Sequence, residues 1–162
     1  MNSKKKKAYR TFARIMFVLY LVLIVYVMFV SEELGRDVQR DEFRYNLVLF
    51  DEIKRFWYYR ESLGIKSVLV NILGNVVTFM PFGFILPMLT KKKIFKNIIT
   101  VTFFTFIFSL LIESTQLYLR IGAFDVDDLF LNTLGGFTGC LIYHIFNTIR
   151  VCMSRSKKGK RK

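Results

Sequence analysis

Residues 98–119 read IITVTFFTFIFSLLIESTQLYL, an apolar stretch in which the only carboxyl and amide side chains are Glu113 and Gln116. At about 1.5 Å of rise per residue, this stretch is long enough for a helix to cross a hydrocarbon core of about 30 Å. Three more runs of this kind occur, at residues 12–30, 68–89 and 124–149. The sequence therefore predicts an all-α, polytopic membrane protein with four transmembrane helices in a bundle.

The overall composition supports this class. Hydrophobic residues make up 53% of the 162 positions, whereas a disordered chain combines low hydrophobicity with high net charge. The two cysteines, Cys140 in an apolar run and Cys152 near the C-terminus, have neither the spacing of a metal site nor that of a disulfide framework. Composition thus excludes a disordered chain and a disulfide-rich secreted domain.

The distribution of basic residues predicts the orientation. Lys and Arg concentrate, without any acidic residue, in segments 1–14, 90–97 and 150–162. Because positively charged segments beside membrane spans stay in the cytoplasm, both termini are expected inside, and segments 31–67 and 120–128 outside. The predicted division is a basic cytoplasmic N-terminus, a four-helix membrane domain and a basic cytoplasmic tail, at residues 1–11, 12–149 and 150–162.

The basic ends and the first run each have a second interpretation. Basic tails also occur in nucleic-acid-binding proteins, but beside membrane spans they are explained by topology and anionic lipid, so no nucleic acid partner is predicted. The first run follows a basic segment, as a cleaved signal does. It is longer than a signal's apolar region and is followed by Ser31, Glu32 and Glu33, so a signal anchor is predicted instead.

The first outer segment contains the aromatic stretch Phe56, Trp57, Tyr58 and Tyr59. Amphipathic rings of this kind favour the boundary between headgroups and acyl chains. A short interfacial helix is therefore expected over residues 49–60, and an ordinary extracellular loop is the alternative.

Polar side chains inside the spans share one depth. Under the predicted orientation, Asn71, Asn75 and Glu113 all fall in the outer half of their spans. Polar groups are costly against lipid, and helical periodicity gathers them on one stripe of each helix, so the stripes should face one another. A polar cavity open to the outside is predicted, closed below by Gly135 and Gly139. The predicted binding residues are Asn71, Asn75, Glu113, Gln116, Arg120, Asp125, Asp127, Asp128 and Asn132.

Several of these residues have a purely structural interpretation. Asp125 followed by Asp128 matches a helix N-cap with an acid at the third helical position. Asn71 and Asn75 are also typical of interhelical hydrogen bonds. Glu113 could be protonated by desolvation or paired with Arg120. Sequence alone leaves these alternatives open.

Motifs on three spans resemble one family in order. They are Asn71-x-x-x-Asn75, Phe79-x-Pro81-Phe82-Gly83-Phe84-x-Leu86-Pro87, Glu113-Ser114-x-Gln116 and Phe124-Asp125-Val126-Asp127-Asp128-x-x-x-Asn132-Thr133-x-Gly135-Gly136. Together they make residues 46–140 similar to the VanZ-like family of integral membrane proteins. The founding member of that family is tied to teicoplanin resistance. The resemblance implies a plasma-membrane protein of the Gram-positive cell envelope, associated with low-level resistance to teicoplanin-type lipoglycopeptides.

Two mechanisms fit the resemblance and the polar residues. In the first, the cavity binds a membrane lipid or the lipoglycopeptide, with Arg120 meeting a phosphate or carboxylate and the amides meeting sugar or peptide groups. The second is an enzyme that acts on lipid-linked phosphate or sugar precursors of the cell wall, with Glu113, Asp125 and Asp128 as catalytic candidates. The same three carboxylates are the candidate ligands of a metal ion, for which Mg²⁺ or Ca²⁺ would suit the oxygen donors.

Overall fold

The computed structural model of the protein describes residues 3–34, 43–89 and 92–159. Within these ranges, four helices are long and apolar enough to cross a membrane, over Lys7–Phe29, Val68–Leu89, Ile98–Leu119 and Val126–Ser154. The prediction of an all-α protein with four membrane spans is confirmed. In chain order the elements are α1 (Ser3–Leu34), β1 (Tyr45–Asn46), α2 (Asp51–Tyr58), α3 (Arg60–Leu63), α4 (Ile65–Leu89), a 3₁₀ turn (Lys93–Lys96), α5 (Ile98–Leu119), β2 (Phe124–Asp125) and α6 (Val126–Gly159).

The first and last helices, α1 and α6, are longer than the apolar runs from which they were predicted. α1 starts at Ser3 and α6 continues to Gly159, so both extend into basic segments. Lys and Arg are good helix formers, and a backbone hydrogen-bond ladder does not end where a membrane ends. At its start, α6 is shorter than the predicted span from 124, because residues 124 and 125 pair as a strand instead.

The two ends of the bundle differ in character. The strand pair and α2 lie at one end, which we call the strand end. At the opposite end, Tyr9 contacts the sulfur of Met88 at 3.9 Å, and His144 Nε2 lies 2.8 Å from the carbonyl oxygen of Lys96. We call this the basic end, since the lysines of the 3₁₀ turn lie there. The cytoplasmic position of the basic end stays a prediction.

α4 and α6 form the most extensive helix contact, and glycines bring their backbones together. A Cβ atom added to Gly83 would lie 1.8 Å from the carbonyl oxygen of Gly136, and one added to Gly139 would lie 1.9 Å from that of Met80. Neither position has room for a methyl group. Small residues are typical of such close crossings in membranes, where van der Waals packing drives association.

α1 packs less closely and runs obliquely across the bundle. In its first half Phe17 contacts Phe82 of α4, at 5.4 Å between ring centroids, and further along Ile24 joins Phe79 and Ile112 in a small apolar cluster. Near the strand end its hydrogen-bond partner belongs to α5, because Gln116 Nε2 donates to the carbonyl oxygen of Met28 at 3.1 Å. α1 therefore leans from α4 toward α5 along its length.

Replacing Gly139 with alanine should destabilise the bundle. The new methyl group would overlap the Met80 carbonyl, and overpacking of this kind costs about 1–3 kcal/mol, more than the gain of about 1 kcal/mol in helix propensity. Gly74→Ala is the matched control, since a Cβ there meets nothing within 4 Å. Thermal unfolding in detergent measures both variants. Equal unfolding temperatures for the two would contradict the packing argument.

Candidate functional site

The site begins with a short parallel pairing between β1 and β2. Tyr45 pairs with Phe124 and Asn46 with Asp125, and the amide of Phe124 donates to the carbonyl oxygen of Arg44 at 3.0 Å. β1 is thereby fixed beside the start of α6. Residues nearly 80 positions apart in sequence meet at the strand end.

Asp125 is the centre of this junction and is only 5% exposed. It immediately precedes α6, and its Oδ1 accepts the amide of Asp127 at 2.7 Å, so it acts as the N-cap. The Asn46 amide group donates to both carboxylate oxygens at 3.3 and 3.4 Å. The backbone amide of Asp125 donates to Glu113 Oε2 at 3.2 Å. One residue thus connects the first outer segment, α5 and α6, and the capping interpretation describes what its carboxylate does.

Asp127 caps a second helix from a distance. Its side chain is 1% exposed and accepts the backbone amides of Phe50 and Ile53, the latter at 3.1 Å. Phe50 precedes α2 with a left-handed backbone, at φ 68°. The carboxylate therefore satisfies donors at the first turn of α2, which its own segment leaves without a side-chain cap. The sequence predicted Asp127 as a binding residue, but it gave no signal for this role.

The third aspartate of α6 faces α4. Asn75 Nδ2 donates to Asp128 Oδ1, and both side chains are only half-buried. Glu113, by contrast, is 2% exposed. Asn75 and Asp128 therefore retain accessible surface, whereas Glu113 does not.

Asn132 lies one to two turns further along α6, fully buried at 0% exposure. Its Nδ2 donates to Ser109 Oγ of α5 at 3.0 Å. Its Oδ1 is the single buried side-chain oxygen or nitrogen without a hydrogen-bond partner in the described ranges. Asn132 therefore acts as an interhelical contact between α5 and α6, below the carboxylates.

Three predicted binding residues lie apart from the carboxylates. Gln116 is buried and bonded to the backbone of α1, as described above. Arg120 follows the last residue of α5 with a left-handed backbone, is exposed, and its guanidinium lies 4.7 Å from the ring centroid of Phe43. The structure therefore differs from the predicted stripe at Arg120, because the helix ends before it. Asn71 is exposed on α4.

Burial sets the electrostatics of the junction. Desolvation raises the pKa of Asp125, although the Asp127 amide and Asn46 lower it in part. Desolvation also raises the pKa of Glu52 on α2, with further contributions from the negative charges of Asp125 and Asp127 against the opposing charge of Arg55. Nearby negative charge at the strand end thus adds to the effect of burial on the pKa of Glu52.

The carboxylates do not gather into a metal-binding set. Glu113 accepts the backbone amide of Asp125, while Asp128 accepts the amide group of Asn75. Within the described residues, no group of three or more His, Cys, Asp or Glu side chains is placed to hold a metal ion. The side chains that would hold Mg²⁺ or Ca²⁺ are thus committed to other partners.

Comparison with known proteins assigns the chain to a family. The family model described as VanZ/LLP1 matches residues 17–147, a range that contains every residue of the candidate site. The chain belongs to the VanZ/LLP1 family. This confirms the resemblance drawn from the motifs of the last three spans.

One curated relative in the VanZ/LLP1 family is Protein VanZ of Enterococcus faecium. It is 32% identical over 97 residues, which make up 57% of this chain and 58% of that protein. The matching part of the chain therefore spans less than two thirds of the relative's length. No solved structure matches the chain.

The replacement Asp127→Asn should loosen α2. Asparagine keeps the size of the side chain but offers one acceptor oxygen to two backbone donors, and loss of a cap costs about 1 kcal/mol or more. Amides of α2 should exchange hydrogen about tenfold faster, measured by mass spectrometry. Asp51→Asn, an exposed position on the same helix, is the control. Equal exchange in both variants would show that Asp127 does not hold α2.

The raised pKa of Glu52 predicts a pH effect with a definite sign. A carboxyl whose pKa is raised on folding favours the folded state in its protonated form, so its contribution to stability declines as pH rises above about 4.5, the ordinary value. Glu52→Gln should therefore stabilise α2 at neutral pH and flatten this dependence. Hydrogen exchange of α2 between pH 5 and 8, corrected for intrinsic rates, measures it. A steeper dependence in the variant would contradict the assignment.

Proposed function

We propose that this protein resides in the bacterial plasma membrane and lowers susceptibility to teicoplanin-type lipoglycopeptides by binding a lipid or lipid-tailed ligand at its strand end. The VanZ/LLP1 membership supports the link to teicoplanin, since the founding member of the VanZ-like family is tied to that resistance. The observation that carries the proposal is the buried polar junction itself. Glu113 and Asp127 lie inside membrane spans and Asp125 lies directly before one, and all three are at most 5% exposed. Polar groups in such positions are costly and mark functional sites.

Orientation supports a ligand at the outer surface. The strand end lies opposite the lysine-rich basic end, and basic segments favour the cytoplasmic side. The polar junction then lies near the outer headgroups, the side from which a lipoglycopeptide reaches the membrane. The same position suits a lipid of the outer leaflet.

The arrangement of hydrogen bonds favours binding over catalysis. The buried carboxylates of Asp125 and Asp127 accept backbone amides, so they hold the frame of the site. Asn75 and Asp128 are half-buried and have surface available for a ligand. The one histidine of the sequence, His144, lies at the basic end. A catalytic pair of general base and nucleophile at the strand end would therefore have to form without a histidine.

Asp128→Asn should abolish most of the protection against teicoplanin without lowering protein abundance. A hydrogen bond to a charged group contributes about 1.5–3 kcal/mol, so its loss weakens ligand binding about tenfold to a hundredfold. Glu61→Gln is the control, because the Glu61 side chain is 89% exposed and this replacement removes the same charge. Growth inhibition by teicoplanin and immunoblots of membranes measure the two effects. A parallel fall of protection and abundance would favour a purely structural role for Asp128.

The enzyme alternative has its own test. Purified protein incubated with lipid-linked cell-wall precursors and Mg²⁺ should leave them chemically unchanged. Thin-layer chromatography or mass spectrometry detects any product. Product that disappears in a Glu113→Gln variant would overturn the binding proposal in favour of catalysis.

A further inference from the structure

α1 and α4 separate toward the strand end. In the middle of the bundle they are joined by Tyr20, whose hydroxyl donates to the carbonyl oxygen of Thr78 at 2.8 Å. Beyond this point α1 leans toward α5, where the Met28 carbonyl accepts from Gln116. Among the described residues, no hydrogen bond or ring contact joins α1 to the part of α4 before Thr78.

The face of α4 exposed by this separation is polar and open. Asn71 lies seven residues before Thr78, and residues seven apart on a helix point within about 20° of each other. Asn71 is nevertheless exposed, whereas Tyr20 covers the backbone at Thr78. Between them, a Cβ atom added to Gly74 would meet nothing within 4 Å. Two independent observations therefore show open space beside Asn71 and Gly74.

Asn71 lies inside the membrane span. The span starts at Val68, so Asn71 lies about 4–5 Å along the helix from that end, close to the ester groups at the edge of the hydrocarbon core. Its side chain makes no hydrogen bond with another residue that the structure describes. The flanking residues Val70 and Leu73 are apolar and are 72% and 52% exposed. A lone amide on such a surface is stabilised by a partner with polar groups at that depth.

The open face leads to the polar junction. Asn75 lies one turn deeper than Asn71, about 10 Å into the span, and its amide nitrogen donates to Asp128 of α6. We define the lateral opening as the space beside Asn71, Gly74 and Asn75 of α4, bounded by the oblique α1. A ligand in it would have the amide of Asn71 at the rim and the half-buried Asn75 and Asp128 behind it.

We propose that the lateral opening binds one glycerophospholipid of the outer leaflet, with its ester and phosphate oxygens at the amide of Asn71 and an acyl chain over Gly74 against α1. This inference rests on the proposed function and specifies its ligand and route. Ester and phosphate oxygens accept hydrogen bonds, which matches the NH₂ group of an asparagine. Bilayer lipid is also the amphiphile present in greatest excess, so mass action favours it over any rare ligand.

Photolabelling with a defined lipid tests the opening. The full-length protein is reconstituted in vesicles of phosphatidylglycerol containing a trace of the same lipid with a diazirine in one acyl chain, and labelled peptides are identified by mass spectrometry. Gly74→Phe fills the opening, and Leu73→Phe adds the same ring on the neighbouring lipid-facing side of the helix. We expect labelling of α1 and α4 peptides to fall about fivefold or more in Gly74→Phe but not in Leu73→Phe. A fall of this size corresponds to the free energy of about one hydrogen bond.

A second pair of variants keeps the test independent of folding. Asn71→Leu should lower the labelling as Gly74→Phe does, whereas Asn71→Gln, which keeps the amide, should retain most of it. Equal labelling in all four variants would overturn the lateral opening, because it would mean that lipid contacts α4 without preference. Labelling unchanged by Leu73→Phe and Asn71→Gln, and lost in the other two, would support it.

Teicoplanin protection separates this inference from the proposed function. If Gly74→Phe and Asn71→Leu lose both labelling and protection, both proposals are supported. If labelling is lost and protection stays, the lateral opening stands as a lipid site, and the proposal that lipid binding at the strand end provides the protection is overturned. If protection is lost and labelling stays, the lateral opening is overturned while the proposed function survives.

Discussion

Two carboxylates at the start of α6 hold the strand end together through backbone amides. Asp125 accepts the amide of Asp127 and the side chain of Asn46, and Asp127 accepts amides from the first turn of α2. Without these acceptors, the donors at the beginnings of two helices would lose their side-chain partners. The positions of β1 and of the start of α2 depend on them. A buried acid is therefore stable here because it replaces water for several donors at once.

The close contact of α4 and α6 fixes the position of the helix that carries these carboxylates. Glycines on both helices allow backbone to touch backbone, and Asn75 of α4 reaches Asp128 of α6 above that contact. α5 joins through Asn132 with Ser109 and through Glu113 with the Asp125 amide. Three helices are thus held by a few short contacts near one end. α1, which has fewer of them, is free to lean and to leave one face of α4 open.

Local rules were sufficient for the spans and for the helix cap. Apolar run length predicted all four spans, and the spacing of Asp125 and Asp128 predicted the N-cap, because both depend only on neighbours in the chain. The partners of Asp127 and the exposed position of Asn71 depend instead on where other segments lie. Helical periodicity gives the side of a helix on which Asn71 falls, but not whether α1 covers that side. The position of Arg120 beside the ring of Phe43 is a similar case, since the two residues lie far apart in the sequence.

Burial divides the acidic and amide residues into those that hold the structure and those that can contact a ligand. A carboxylate that accepts two backbone amides cannot take up a substrate proton or a ligand without breaking those bonds, so Asp127 contributes by holding α2 in place. Asp128 and Asn75 are bonded side chain to side chain and remain partly accessible. A ligand can therefore reach these two side chains without displacing a backbone amide from Asp125 or Asp127. This separation is the physical reason to look for the ligand between α4 and α6 rather than beneath α2.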